Sequence, residues 1–100
     1  MKVPFNINLS GKTAIVTGGS GTLCSAMAYG LAVCGAKVAI IERNKEKLAS
    51  ISEKLTKDAL DEYNKNVTIK GYSCNVINKD ELSAAYETIK NELGSCDILI

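Results

Sequence analysis

Thr13-Ala14-Ile15-Val16-Thr17 is an apolar, β-rich run that passes directly into Gly18-Gly19-Ser20-Gly21 and then into small and apolar residues at helical spacing. No other stretch of this chain limits its fold so strongly. The run lacks polar alternation, so the strand it forms must be covered on both faces. The segment Gly19-Ser20-Gly21-Thr22-Leu23-Cys24 fits G-x-G-x-x-G, with Cys in place of the last Gly. Glycine there supplies backbone angles that a tight turn needs and lets the main chain approach a pyrophosphate. The N–H groups and positive dipole end of the following helix then hold the anion. Gly18, Ser20, Gly21, Thr22 and Leu23 are the candidate contacts.

The rest of the pattern supplies the context such a loop requires. Leu23, Ala26, Met27, Leu31 and Ala32 fall at helical spacing up to Cys34, and Gly35 stops that helix. Lys37–Ile41 reads as a second buried strand. Asn44 to about Leu60 reads as a charged helix, with Leu48, Ile51 and Leu55 on one face. Asp61–Asn66 reads as a polar loop and Val67–Tyr72 as a third strand. Asn78 stands three residues before Glu81, a capping-box-like start, and a helix follows with Leu82, Ala85, Tyr86, Ile89 and Leu93 on one face. Asp97–Ile100 opens a fourth strand. Strands joined by helices of this length are parallel, with right-handed crossovers. The predicted fold is α/β, the β-α-β-α-β-α-β portion of a doubly wound parallel sheet with strand order 3-2-1-4, residues 1–100 forming one partial dinucleotide-binding domain.

Composition narrows the function. Twelve Lys+Arg against eleven Asp+Glu give a net charge of +1, which argues against nucleic acid or an anionic membrane surface as partner. There is no apolar run of transmembrane length and no secretory signal pattern, so the expected location is cytoplasmic. There is no His, which removes Ser–His triads and most zinc sites. Cys24, Cys34, Cys74 and Cys96 show no C-x-x-C spacing, so the expectation is small, mostly buried thiols without metal or disulfide. Cys24 alone stands where a reactive thiol would matter.

Glu42 ends the second strand, 21 residues after Gly21. From that position a carboxylate can accept hydrogen bonds from an adenosine ribose and repel a 2′-phosphate, which favours NAD over NADP. Arg43 works against this, because a guanidinium can pair with that phosphate, stack on adenine or face water.

With these residues in place, the chain resembles the short-chain dehydrogenase/reductase family, from about Leu9 to Ile100. Leu9–Gly18 looks like that family's opening. Gly18 and Gly21 match the T-G-x-x-G-x-x-G spacing of its extended members, with Cys24 as the departure. Gly21–Ala28 is similar to a subgroup described as D-mannonate oxidoreductases or fructuronate reductases. The resemblance implies a Rossmann-type sheet, a nicotinamide cofactor, a small-molecule alcohol or ketone substrate and a homo-oligomer at full length. It also implies that Asn75, in Cys74-Asn75-Val76, meets the adenine amino group through its amide oxygen, with Val76 beside it. Turn initiation is the competing reading of Asn75.

Tyr86-Glu87-Thr88-Ile89-Lys90 matches the family's catalytic Y-x-x-x-K letter for letter. It precedes the fourth strand, whereas the family's pair follows the fifth, and Tyr86 shares the apolar helix face. No catalytic residue is therefore assigned. The family's Ser, Tyr and Lys are expected beyond Ile100, so the hundred residues are expected to be inactive alone and to expose an apolar strand edge. Two other readings compete: a dinucleotide-binding or sensing module without catalysis, and an extended-type epimerase or dehydratase acting on a nucleotide sugar.

Overall fold

The computed structural model describes residues 8–18, 22–75 and 77–100, with side chains in the first helix from Ser25 onward. Strands and helices alternate: β1 (Thr13–Thr17), α1 (Thr22–Val33), β2 (Lys37–Glu42), α2 (Lys45–Tyr63), β3 (Ile69–Ser73), α3 (Lys79–Glu92) and β4 (Ile98–Leu99). The sheet has the order β3-β2-β1-β4 and every pair is parallel. This is the doubly wound sheet that the sequence pattern predicts.

Side-chain alternation along the two central strands divides the interior in two. Ala14, Val16, Val38 and Ile40 pack under Tyr29, Ala32 and Val33 of α1 and Leu48, Leu55 and Ala59 of α2. Ile15, Ala39 and Ile41 face the other way, against Cys74 and against Ile89 and Leu93 of α3. Both faces of β1 and β2 are thus covered, which is why neither strand alternates with polar residues. Full burial of a side chain such as Ile40 contributes roughly 1.5–3 kcal/mol.

The helix starts on α2 and α3 use the same device. Asn44 accepts from the N–H groups of Glu46 and Lys47, and Asn78 accepts from those of Asp80 and Glu81. Acidic residues follow in each first turn, where the helix dipole favours them.

Three boundaries differ from the sequence reading. The second helix runs to Tyr63, through the first half of the stretch expected to be loop. Its end is set by Asn64, whose left-handed backbone (φ 54°) aims its N–H back at Ala59 and Leu60. Tyr63 meanwhile packs on Tyr29, with ring centroids 6.3 Å apart. Asp61 and Glu62 are polar because they ride the outer helix face, and Glu62 accepts a 3.1 Å hydrogen bond from the Tyr29 hydroxyl. The third strand is shifted, Ile69–Ser73 in place of Val67–Tyr72, and the fourth is two residues long.

Side-chain contacts at Thr13 help tie the far end of the chain to β1. The Asp97 carboxylate accepts from Thr13 N–H at 3.0 Å, and the buried Thr13 hydroxyl donates to the Leu93 carbonyl at 3.0 Å. Among the described residues, no helix is long and apolar enough to cross a membrane.

Candidate cofactor site

In an open parallel sheet, ligands bind at the carboxyl ends of the strands, where neighbouring crossovers leave on opposite faces. Here α1 and α2 cover one face and α3 the other. The carboxyl end of β1 is therefore the place to look.

Gly18 leaves β1 with φ +66° while its N–H still donates to Ile41 of β2 at 2.9 Å. Among the described residues, a Cβ on Gly18 would meet nothing within 4 Å. The glycine is favoured there by its backbone angle rather than by crowding from the described residues. Just before it, the Thr17 N–H and hydroxyl both donate to the Ile100 carbonyl, at 2.9 and 3.0 Å. The loop's departure point is thereby held between β2 and the end of β4. The first turn of α1 carries no acidic residue, unlike the first turns of α2 and α3. An anion at that end would meet no like charge from the helix.

One strand over, Glu42 closes β2 half-buried. Its carboxylate accepts from the Arg43 N–H at 3.0 Å, which fixes the group at the strand end. The Arg43 side chain is exposed. The ends of β2 and β3 are joined by Cys74 N–H to the Glu42 carbonyl, 3.1 Å, and by the Ser73 hydroxyl to the Arg43 carbonyl, 3.2 Å. Asn75 is half-buried just beyond. Its side-chain oxygen accepts from Ile77 N–H at 3.1 Å, and its backbone carbonyl accepts from Asn78 N–H at 3.0 Å. The oxygen expected to meet adenine thus holds a turn.

Gly18, Glu42, Arg43 and Asn75 stand along one edge of the sheet in the order β1, β2, β3. Ser20, Gly21 and Val76 lie outside the described residues, as do the side chains of Thr22 and Leu23, whose backbone opens α1. Cys24 lies outside them in the same way. Sequence reasoning missed Ser73 and Ile77. A hydroxyl at a strand end and an Asn two residues before an N–H donor are the signals that could have pointed to them.

The thiols differ from one another. Cys34 and Cys74 are buried, whereas Cys96 is exposed, contrary to the expectation for it, because it sits in the turn ahead of β4. Burial and then the charge of Glu81 push the Cys74 thiol above its ordinary value. It is accordingly a packing group rather than a nucleophile. Tyr86 is half-buried against the core cluster that includes Ile15, Ile89 and Leu93, and Lys90 is exposed. That is the placement of a helix covering a sheet. Among the described residues, no cluster of His, Cys, Asp or Glu could hold a metal ion.

The model of the family described as short chain dehydrogenase matches residues 12–100. The chain belongs to that family. Among curated members, the uncharacterized oxidoreductase UxuB of Bacillus subtilis is 40% identical over 98 residues, 98% of this chain and 33% of its own length. The 2-dehydro-3-deoxy-D-gluconate 5-dehydrogenase of Formosa agariphila is 37% identical over 95 residues, 93% of this chain and 33% of its own. The chain thus spans about a third of the length of these short-chain dehydrogenase relatives. A solved short-chain dehydrogenase from Haemophilus influenza, proposed to be a D-mannonate oxidoreductase and holding NAD, superposes with a TM-score of 0.76 at 31% identity. That match covers 93% of this chain and 31% of that one. A metagenomic short-chain oxidoreductase in complex with NADP superposes with a TM-score of 0.78 at 27% identity, over 91% of this chain and 38% of that one.

Proposed function

We propose that these residues form the adenosine- and pyrophosphate-holding part of an NAD-dependent oxidoreductase that interconverts an alcohol and a carbonyl. One observation carries the reading: the Glu42 carboxylate is fixed at the end of β2, on the strand bonded to Gly18. A carboxylate held there accepts from ribose hydroxyls and repels a 2′-phosphate. The residues fit the cofactor in a second respect, since Gly18 leaves β1 with a positive φ and no described residue crowds its Cβ position. When bound, the nicotinamide would supply the hydride chemistry. Gly18 and Glu42 would orient the other half of the molecule, and no proton-transfer role is assigned to either.

For the whole protein, the substrate class we favour is a sugar acid of the D-mannonate and D-fructuronate kind. The support is the Gly21–Ala28 segment, with the names of the Haemophilus and Formosa relatives.

Calorimetric titration tests the cofactor reading. NAD is expected to bind more tightly than NADP. Glu42→Ala is expected to weaken NAD about tenfold, the size of a lost hydrogen bond to a charged group, and to abolish the preference. Tighter NADP binding by the unaltered chain would overturn the role given to Glu42, with Arg43 then the residue that decides.

A further inference from the structure

β3 ends the sheet on the side away from β4, so one of its edges has no neighbouring strand among the described residues. The Thr68 carbonyl accepts from Val38 N–H, and Cys74 N–H donates to the Glu42 carbonyl. Even-numbered positions therefore turn their backbone groups toward β2. The N–H and carbonyl groups of Ile69, Gly71 and Ser73 point the other way, out of the open edge.

Side chains alternate across the sheet faces. Ile69 packs on the cluster that α1 and α2 cover, and a Cβ on Gly71 would lie 3.1 Å from Leu48 of α2. Leu48 thus accounts for the glycine from inside, and the missing side chain also leaves room for a second backbone alongside. Lys70 and Tyr72 fall on the opposite face, where the Tyr72 hydroxyl donates to Glu92 of α3 at 2.7 Å. Lys70 is exposed and makes no ion pair among the described residues. A lysine on an edge strand ordinarily deters pairing, because a neighbouring strand leaves its charge unanswered.

We propose that β3 pairs with β3 of a second copy of this chain, antiparallel about a two-fold axis at Gly71. In that register Gly71 faces the partner's Gly71 and Ile69 faces the partner's Ser73. All three outward positions then exchange N–H···O=C bonds. Lys70 stands opposite the partner's Tyr72, where its stem lies along the ring and its ammonium reaches the partner's Glu92. The axis repeats this contact, so both lysines are answered. An antiparallel register centred on Lys70 would instead set the two lysines against each other. A two-fold contact is closed, so assembly stops at the dimer.

Sedimentation velocity from about 1 μM to 1 mM covers the range of a weak pair, and a monomer–dimer equilibrium is expected. Lys70→Glu is expected to weaken the dimer about tenfold. Adding Glu92→Lys to it exchanges the charges across the axis and should recover the loss, with far-UV circular dichroism showing both variants folded. Hydrogen exchange on the unaltered chain reads the same contact without a variant. The amides of Ile69, Gly71 and Ser73 should exchange more slowly at high concentration. A chain that stays monomeric throughout overturns the proposal, as does open-ended growth beyond the dimer. So does a dimer indifferent to Lys70→Glu, or one whose protection falls on residues 97–100 in place of β3.

Discussion

Gly18 and Gly35 both have positive φ, +66° and +107°, yet their surroundings separate them. A Cβ on Gly18 meets none of the described residues within 4 Å, while one on Gly35 lies 3.0 Å from the Ser10 hydroxyl and 3.1 Å from its backbone nitrogen. Gly18→Ala therefore incurs backbone strain alone, about 1–2 kcal/mol. Gly35→Ala incurs that strain and must also push away the segment that bonds to Cys34 through Leu9 N–H. Thermal melts of the two variants are expected to show the larger drop for Gly35→Ala, and equal drops would refute the distinction. Single residues are also where the sequence is unevenly legible. The open glycine and the acid at the end of β2 can be read because each occupies a fixed place relative to an apolar run. The use of the Asn75 oxygen cannot, because an asparagine after a strand has the same letter whether it turns the chain or faces a ligand.

At the scale of elements, the two asparagine caps make a matched pair. Asn44→Ala and Asn78→Ala each remove a side chain that accepts from two N–H groups. Each is expected to lower stability by about 1 kcal/mol, measurable as a fall in denaturant midpoint with an unchanged slope. A Ser replacement at either position should recover most of the loss. Strand and helix order is legible throughout, since continuous apolar runs and spacings of three to four residues separate cleanly along this chain. The end of α2 is hidden by Asp61 and Glu62, whose polarity suits a loop and an exposed helix face equally well. The helix carries on to the Asn64 cap, and Tyr63 in its last turn reaches Tyr29, a contact between distant positions that no local pattern encodes.

The molecule as a whole carries an alkaline sensitivity. Tyr29 and Tyr72 are each held protonated above the ordinary tyrosine value of 10.0, by burial first and then by hydrogen bonds to Glu62 and Glu92. Burial first, and then the Glu81 charge, raise Cys74 in the same direction from its ordinary 9.0. The unfolded chain releases these protons at lower pH than the folded chain does. Stability is therefore fully present below about pH 9 and falls as the pH rises through the ordinary values and beyond. Melting temperatures between about pH 8 and 11 should decline, and the decline should be shallower in Tyr29→Phe, even though that variant starts lower. A flat profile in the unaltered protein would contradict the assignment.

The bond between Thr13 and Asp97 joins positions 84 apart. β1 meets β2 as soon as the first crossover is complete, but its other edge has no partner until residues 97–100 exist. Seen as a sequence of events on the ribosome, the strand that launches the glycine loop is made first and closed late. During that interval it offers a row of unmet N–H and carbonyl groups to any passing strand. Whatever shields that edge during synthesis acts on the same piece of backbone that carries Thr17 into Gly18.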